Sequence, residues 1–262
     1  VADLSTWTPS LAAMPGLSTV SLLVLAAFAA GLVDAIAGGG GLITVPVLLA
    51  TGLPVPIALA TNKGQASFGA VSSFFSFWTR KGIDRNRAPL AFASGFLGSL
   101  AGARILLLVR PEPLKPVVLV LLLLAAGIVA YPRKPTSGQA RSWAMAALGP
   151  LAFALGFYDG FFGPGVGSML IVTFVLVFGD TLTRASGNAK VVNLASNLAA
   201  LLLFSIKGAV LWRVAAPMAA ANAMGAFVGA RLAVKRGDGF VRIVVLGVVT
   251  VLVLKMAYDL LR

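Results

Sequence analysis

About ten apolar runs fill the chain, at 17–36, 41–52, 56–78, 88–109, 114–131, 143–160, 167–179, 186–205, 211–231 and 240–260. A helix needs roughly 20 apolar residues to cross a hydrocarbon core about 30 Å thick. The breaks between the runs are short and built from Gly, Pro and charge, so no soluble domain is left over. Composition points the same way. The chain is 59% hydrophobic and 11% charged, where a soluble domain is about a quarter charged, and its mean hydropathy is +0.97. The expected fold is an all-α polytopic membrane protein.

The net charge of +13 does not point to nucleic acid. Most Lys and Arg residues lie in the gaps between apolar runs, as in basic cytoplasmic loops. With Cys 0 and His 0, disulfide frameworks, Cys/His zinc sites and His-based proton chemistry are excluded, and no cofactor is expected. Residues 1–20 hold no Lys or Arg, only Asp3. The positive leading region of a signal peptide is therefore missing, and the run at 17–36 reads as a true span.

Two runs, 41–52 and 167–179, are too short to span as straight helices. Each follows a glycine-rich string, Gly38-Gly39-Gly40-Gly41 or Gly163-Pro164-Gly165-Val166-Gly167. The strings belong to an internal repeat. Gly31-Leu32-Val33-Asp34 matches Gly156-Phe157-Tyr158-Asp159, Asn62 matches Asn188, and Lys81-Gly82 matches Lys207-Gly208. Gly98-x-x-x-Gly102-Ala103-Arg104 matches Gly225-x-x-x-Gly229-Ala230-Arg231. The expected organisation is a first repeat over 17–131, a cytoplasmic linker over 132–142 and a second repeat over 143–260. Five segments per half make the second repeat inverted. With the N-terminus outside, Arg80, Lys81, Arg85, Arg87, Arg133, Lys134, Arg141, Arg184, Arg231, Lys235, Arg236 and Arg242 fall on the cytoplasmic side, against Arg104, Arg110, Lys115, Lys207, Arg213 and Arg262 outside, as the positive-inside rule asks. Four spans per half would make the repeats parallel, and the rule disfavours that.

Interrupted helices at matching positions of an inverted repeat point to a secondary transporter. A helix broken inside the bilayer leaves N–H groups unpartnered at its positive end, and an anion satisfies both. The backbone at Gly39, Gly40, Gly41, Gly165 and Gly167 is expected to cradle the ligand, with Asn62, Gln65, Asn188 and Asn193 as neutral donors. Lys63 and Lys190 sit in apolar segments, where a Lys costs about 2.5–3.5 kcal/mol on insertion scales. Each has three readings: a cation for the substrate, a permanent partner of Asp34 or Asp159, or a side chain reaching to an interface. The two Asp residues either cap the helix breaks or bind a coupling proton or cation. An aspartyl protease dyad is rejected, because the Gly-x-Gly-Asp string of such enzymes is missing. The Gly98/Gly102 and Gly225/Gly229 pairs read as close-packing faces.

The string from Gly31 to Pro46, GLVDAIAGGGGLITVP, followed by Ala60-Thr61-Asn62, resembles the first signature block of the TauE/SafE-type sulfite exporter family. Gly156-Phe157-Tyr158-Asp159-Gly160-Phe161-Phe162-Gly163-Pro164-Gly165, with Asn188-Ala189-Lys190, is similar to its second. The resemblance covers about 20–260. It implies a bacterial inner-membrane transporter of sulfite, sulfoacetate or related sulfonates, and sulfur comes from the resemblance alone. The residues lead to a non-enzymatic carrier of a small anion, embedded in the lipid bilayer, with alternating access between the repeats. A homodimer is an assembly open to such a chain. An uncoupled anion channel and a non-transporting membrane partner are the rival readings.

Overall fold

The computed structural model describes residues 17–80, 82–109 and 143–260. The expected run at 114–131 and the linker at 132–142 lie outside them. Each of the other apolar runs coincides with a helix, and no strand occurs among the described residues. In order the helices are α1 (Leu17–Ala37), α2 (Gly41–Ala50), α3 (Val55–Thr79), α4 (Ala88–Leu108), α5 (Ala144–Phe161), α6 (Val166–Phe178), α7 (Leu182–Ile206) and α8 (Trp212–Leu260). Gly237, with φ 69°, divides α8 into two helical stretches. Ser18–Ala37, Ala88–Leu108, Ala144–Phe161 and Leu182–Ile206 are long and apolar enough to cross a membrane, whereas α2 and α6 are apolar but short. Leu22, Leu25, Leu97, Leu108 and Ile206 are exposed, as lipid-facing side chains are. In lipid, the helix satisfies the backbone within the segment.

Small residues set the packing. An added Cβ at Gly98 would lie 2.1 Å from the Phe153 carbonyl oxygen, and at Gly102 2.0 Å from that of Phe157, so α4 and α5 touch backbone to backbone. Gly225 and Gly229 hold α8 against Phe28 and Leu32 of α1 in the same way, at 2.1 and 2.4 Å. The first helix of each half therefore packs on the last described helix of the other half. Buried hydroxyls add cross-links: Ser99 Oγ donates to the Ser196 carbonyl (2.6 Å) and Ser72 Oγ to that of Ala223 (2.8 Å).

The loops repeat the reciprocity. Asp84 N–H donates to Asn188 Oδ1 (2.7 Å), and Leu211 N–H donates to Thr61 Oγ1 (3.1 Å). Gly82 N–H closes on the Phe77 carbonyl, and Ala209 N–H on that of Phe204, both at 2.9 Å. The residue of the first half that does what Asn188 does in the second is thus Thr61, one position before the expected Asn62.

Candidate functional site

The first break forms where α1 ends at Ala37. Gly38 turns the chain at φ 76°, a left-handed conformation that glycine adopts without a Cβ penalty. Three carbonyls at this broken end find donors in the second half. Ser186 Oγ donates to Ile36 O (3.0 Å), Ser168 Oγ to Ala37 O (2.6 Å) and Ser168 N–H to Gly38 O (3.1 Å). The second break runs through Gly163 (φ 97°) and Gly165 (φ 83°), and Tyr158 Oη donates to the Pro164 carbonyl at 3.1 Å. The breaks touch: a Cβ at Gly38 would lie 2.1 Å from Gly167 C. The starts of α2 and α6 thereby meet at one place between the halves.

Two ion pairs flank that place, and each joins one half to the other. Lys63 Nζ lies 2.6 Å from Asp159 Oδ1, with both side chains no more than 4% exposed. Lys190 Nζ lies 2.8 Å from Asp34 Oδ2, with Lys190 fully buried and the Asp34 side chain 24% exposed. Of the three readings open for the lysines, the structure realises pairing with the aspartates. Breaking a buried pair by removing one partner leaves an uncompensated charge and costs about 3–5 kcal/mol. The aspartates differ in their further partners. Asp159 also accepts from Ser196 Oγ. Asp34 Oδ1 accepts from Gly40 N–H at 3.3 Å, a contact at the start of the broken helix. Lys190 Nζ donates in addition to the Asp34 backbone carbonyl.

A cavity of about 30 Å³ lies between the breaks, and Asp34, Gly40, Gly41, Asn62, Lys63, Gln65, Asp159, Gly165, Gly167 and Asn193 all line it. The expected site residues thus largely converge. Gly39 sits in the same string between lining glycines. Lys190 and Asn188 do not line the cavity: Lys190 acts behind Asp34, and Asn188 donates through Nδ2 to Asp180 Oδ2 at 2.7 Å. Asn62 Oδ1 accepts from Thr44 Oγ1 (2.6 Å) and Gln65 Nε2 (2.9 Å), which fixes the amides of Asn62 and Gln65 side by side. Asn197 and Asn222 also line the cavity; Asn197 follows Asn188 and Asn193 in the same polar constellation of the sequence, whereas Asn222 lies outside it. Asn222 was legible as an amide inside an apolar run; its donation to the Ala27 carbonyl (3.0 Å) ties α8 to α1. Gln65 Oε1 and Asn197 Oδ1 are buried without a hydrogen-bond partner among the described residues. They call for a donor, which a bare oxyanion does not supply but a water or a hydroxyl-bearing ligand does.

A second charged cluster lies between the 82–87 loop and the α6–α7 junction. Arg87 grips Asp180 through both terminal nitrogens (2.8 and 3.1 Å) and donates Nε to Asp84 Oδ2 (2.8 Å). Arg184 reaches the same Asp84 oxygen at 3.1 Å, and the guanidinium of Arg87 stacks 5.0 Å over the Phe178 ring. Burial works against the Asp84 charge, but the hydrogen bond and positive charge of Arg87 prevail and hold its carboxyl below the usual range. Burial likewise opposes the Arg87 charge, and the two aspartates outweigh it and raise its pKa. At the α2–α3 junction of the other half, Leu53, Val55, Ile57, Val210 and Leu211 pack in an apolar cluster.

Apolar helices around a buried, charged and amide-lined cavity, entered by two interrupted helices, define a multi-pass membrane protein with a polar site in its interior. Comparison with known proteins assigns its class and family. The profile of the family described as "Sulfite exporter TauE/SafE" matches residues 23–256, and the chain belongs to that family of membrane transporters. It is 36% identical over 247 residues to a "Probable membrane transporter protein" of Haemophilus influenzae, covering 93% of this chain and 96% of the relative. It is 36% identical over 244 residues to the "Probable membrane transporter protein YfcA" of Escherichia coli K12, covering 92% and 90%. A Sinorhizobium relative, "Probable membrane transporter protein ORF9", is 34% identical over 247 residues, covering 92% and 93%. No solved structure matches the chain.

Proposed function

We propose that this transporter moves a small oxyanion, sulfite or an organosulfonate, across the bacterial inner membrane by alternating access. The observation that carries the reading is the meeting of the two glycine breaks at one cavity, with Gly40, Gly41, Gly165 and Gly167 beside Asn62, Gln65 and Asn193. Helix N-termini attract anions, and amides hold them without leaving an unpaired charge when the site empties. The halves serve as the two rocking bodies. Their reciprocal contacts and the loop charges support ten segments in two inverted five-segment repeats. The class of anion follows the family's description.

The test is flux. Purified protein in liposomes is loaded with sulfite, sulfoacetate, isethionate, taurine, sulfate or thiosulfate, and counterflow of labelled substrate against each is followed. Saturable counterflow with sulfite or a sulfonate is expected. Counterflow with none of the panel, beside intact folded protein, overturns the reading.

A further inference from the structure

We propose that Asp34 is the coupling residue: its ionised carboxylate occupies the anion position at the start of α2, and a substrate anion enters when Asp34 takes up a proton. The inference rests on the anion-carrier reading above. Its first ground is charge balance. Lys63 and Asp159 line the cavity with Asp34, and Lys190 stands behind Asp34 at 2.8 Å. Two ammonium groups face two carboxylates, so the site is neutral before any ligand arrives. An incoming anion has no spare cation to meet. It either leaves one negative charge uncompensated in a buried place, which is costly, or arrives with a proton that neutralises one carboxylate.

The second ground is which carboxylate gives way. Asp159 is held by Lys63 from α3 and by Ser196 from α7, and its side chain is 3% exposed. Asp34 is 24% exposed, and its Oδ1 holds Gly40 N–H at 3.3 Å, beyond the usual range for a strong N–H···O bond. Gly40 and Gly41 both line the cavity. The Asp34 carboxylate is therefore bound as a substrate oxygen would be, by a helix N-terminal N–H on one side and the Lys190 ammonium on the other. Once the proton is on an Asp34 carboxyl oxygen, the Gly40 N–H that lines the cavity is released to the ligand. Lys190 keeps its charge, and the total returns to zero with the anion in place. The charged groups around Asp34 are Lys190 of α7, Lys63 of α3 and Asp159 of α5. Helices α2 and α6 carry no charged residue, and α8 presents the neutral Asn222. The buried, unpartnered Gln65 Oε1 marks the same cavity as a place for a ligand that can also donate.

The experiment is calorimetric titration of the detergent-purified protein with isethionate, whose sulfonate stays ionised throughout. Titrations in buffers of different ionisation enthalpy count the protons taken up. Uptake of about one proton per bound anion is expected, with affinity falling about tenfold per pH unit once Asp34 is ionised. Asp34→Asn alone leaves Lys190 unpaired, so the double variant Asp34→Asn/Lys190→Gln is measured beside it to keep the site neutral. The folded Asp34→Asn variant, with Lys190 freed, is expected to bind isethionate with no proton uptake and no pH slope, and the neutral double variant, which has no spare cation, to bind it far more weakly and likewise without proton uptake. Wild-type binding without proton uptake overturns the assignment while leaving the carrier reading intact. Proton uptake that persists in the folded variants does the same. Failure of isethionate and sulfite to bind wild type at any pH removes both.

Discussion

Asn62 and Asn188 stand at matching places in the sequence and do different work. Asn62 faces the cavity, its Oδ1 held by Thr44 and Gln65. Asn188 bridges Asp180 and the Asp84 N–H. Asn62→Ala is expected to weaken anion binding by roughly 10- to 150-fold, the loss of one hydrogen bond to a charged ligand, with the unfolding midpoint little changed. Asn188→Ala is expected to cost about 1–3 kcal/mol of stability and leave affinity near wild type. Titration and thermal unfolding of both variants separate the outcomes; equal loss of affinity in both would refute the division. A second residue-level expectation concerns Lys63 and Asp159. Asp159→Asn strands a buried ammonium and should cost about 3–5 kcal/mol, while Lys63→Met/Asp159→Leu should recover most of it. Denaturation in detergent measures both, and a double variant as unstable as the single one contradicts the account. The lysines and aspartates were legible because a charge in an apolar run demands a partner. Which Lys meets which Asp was not, because the pairs cross between halves more than 90 positions apart in the chain. Asn188 stands apart from the cavity for a related reason. Sequence matching tolerates a one-residue slip, but a helix turns about 100° per residue, so Thr61 and Asn62 face different neighbours.

The helices themselves were legible almost completely, since hydropathy and length decide membrane segments. The two breaks were legible too, because glycine strings at positive φ leave few alternatives. Their contact was not: nothing local says that Gly38 and Gly167 abut. The small-residue faces were read as packing surfaces, and the structure supplies their partners. At Gly98 the neighbouring carbonyl lies 2.1 Å from where a methyl would be, so Gly98→Ala must push α4 from α5. Gly225→Ala must do the same between α8 and α1. Each is expected to cost about 1–3 kcal/mol, read as a lower unfolding midpoint. Gly239, whose added Cβ would meet nothing within 4 Å, is the control, and an equal effect there would show that close packing is not the cause.

Across the whole molecule the junction between the 82–87 loop and α6–α7 is closed by charge, through Asp84, Arg87, Asp180 and Arg184. Asp84 has its folded-state pKa below the ordinary 3.8. Its contribution is therefore complete above that value and is lost as pH falls through the still lower folded-state value. Arg87, raised further above its already high ordinary value by the two aspartates, stays charged across the accessible range. The ionic junction should hold at neutral pH and loosen only in strong acid. Arg87→Gln should lower the unfolding midpoint at neutral pH and remove that acid-dependent step; an unchanged pH profile would exclude the junction as its source. Orientation has its own check. The chain has no Cys, and Arg80 and Lys207 are exposed in matching loops. Single-cysteine variants Arg80→Cys and Lys207→Cys are expected to label from opposite sides of the membrane. Labelling from one side would make the repeats parallel.

The reciprocal packing of α1 on α8 also orders biogenesis. The Ala27 carbonyl waits for Asn222, 195 residues later, and Phe28 and Leu32 wait for Gly225 and Gly229. Helix α1 thus acquires its seat only after the long stretch of chain up to Asn222 has been synthesised, and until then lipid must cover the face that α8 will take. Contacts of such long sequence separation form late because a large loop must close first. Nascent chains stopped before Asn222 should consequently expose α1 to lipid crosslinkers that the finished protein excludes.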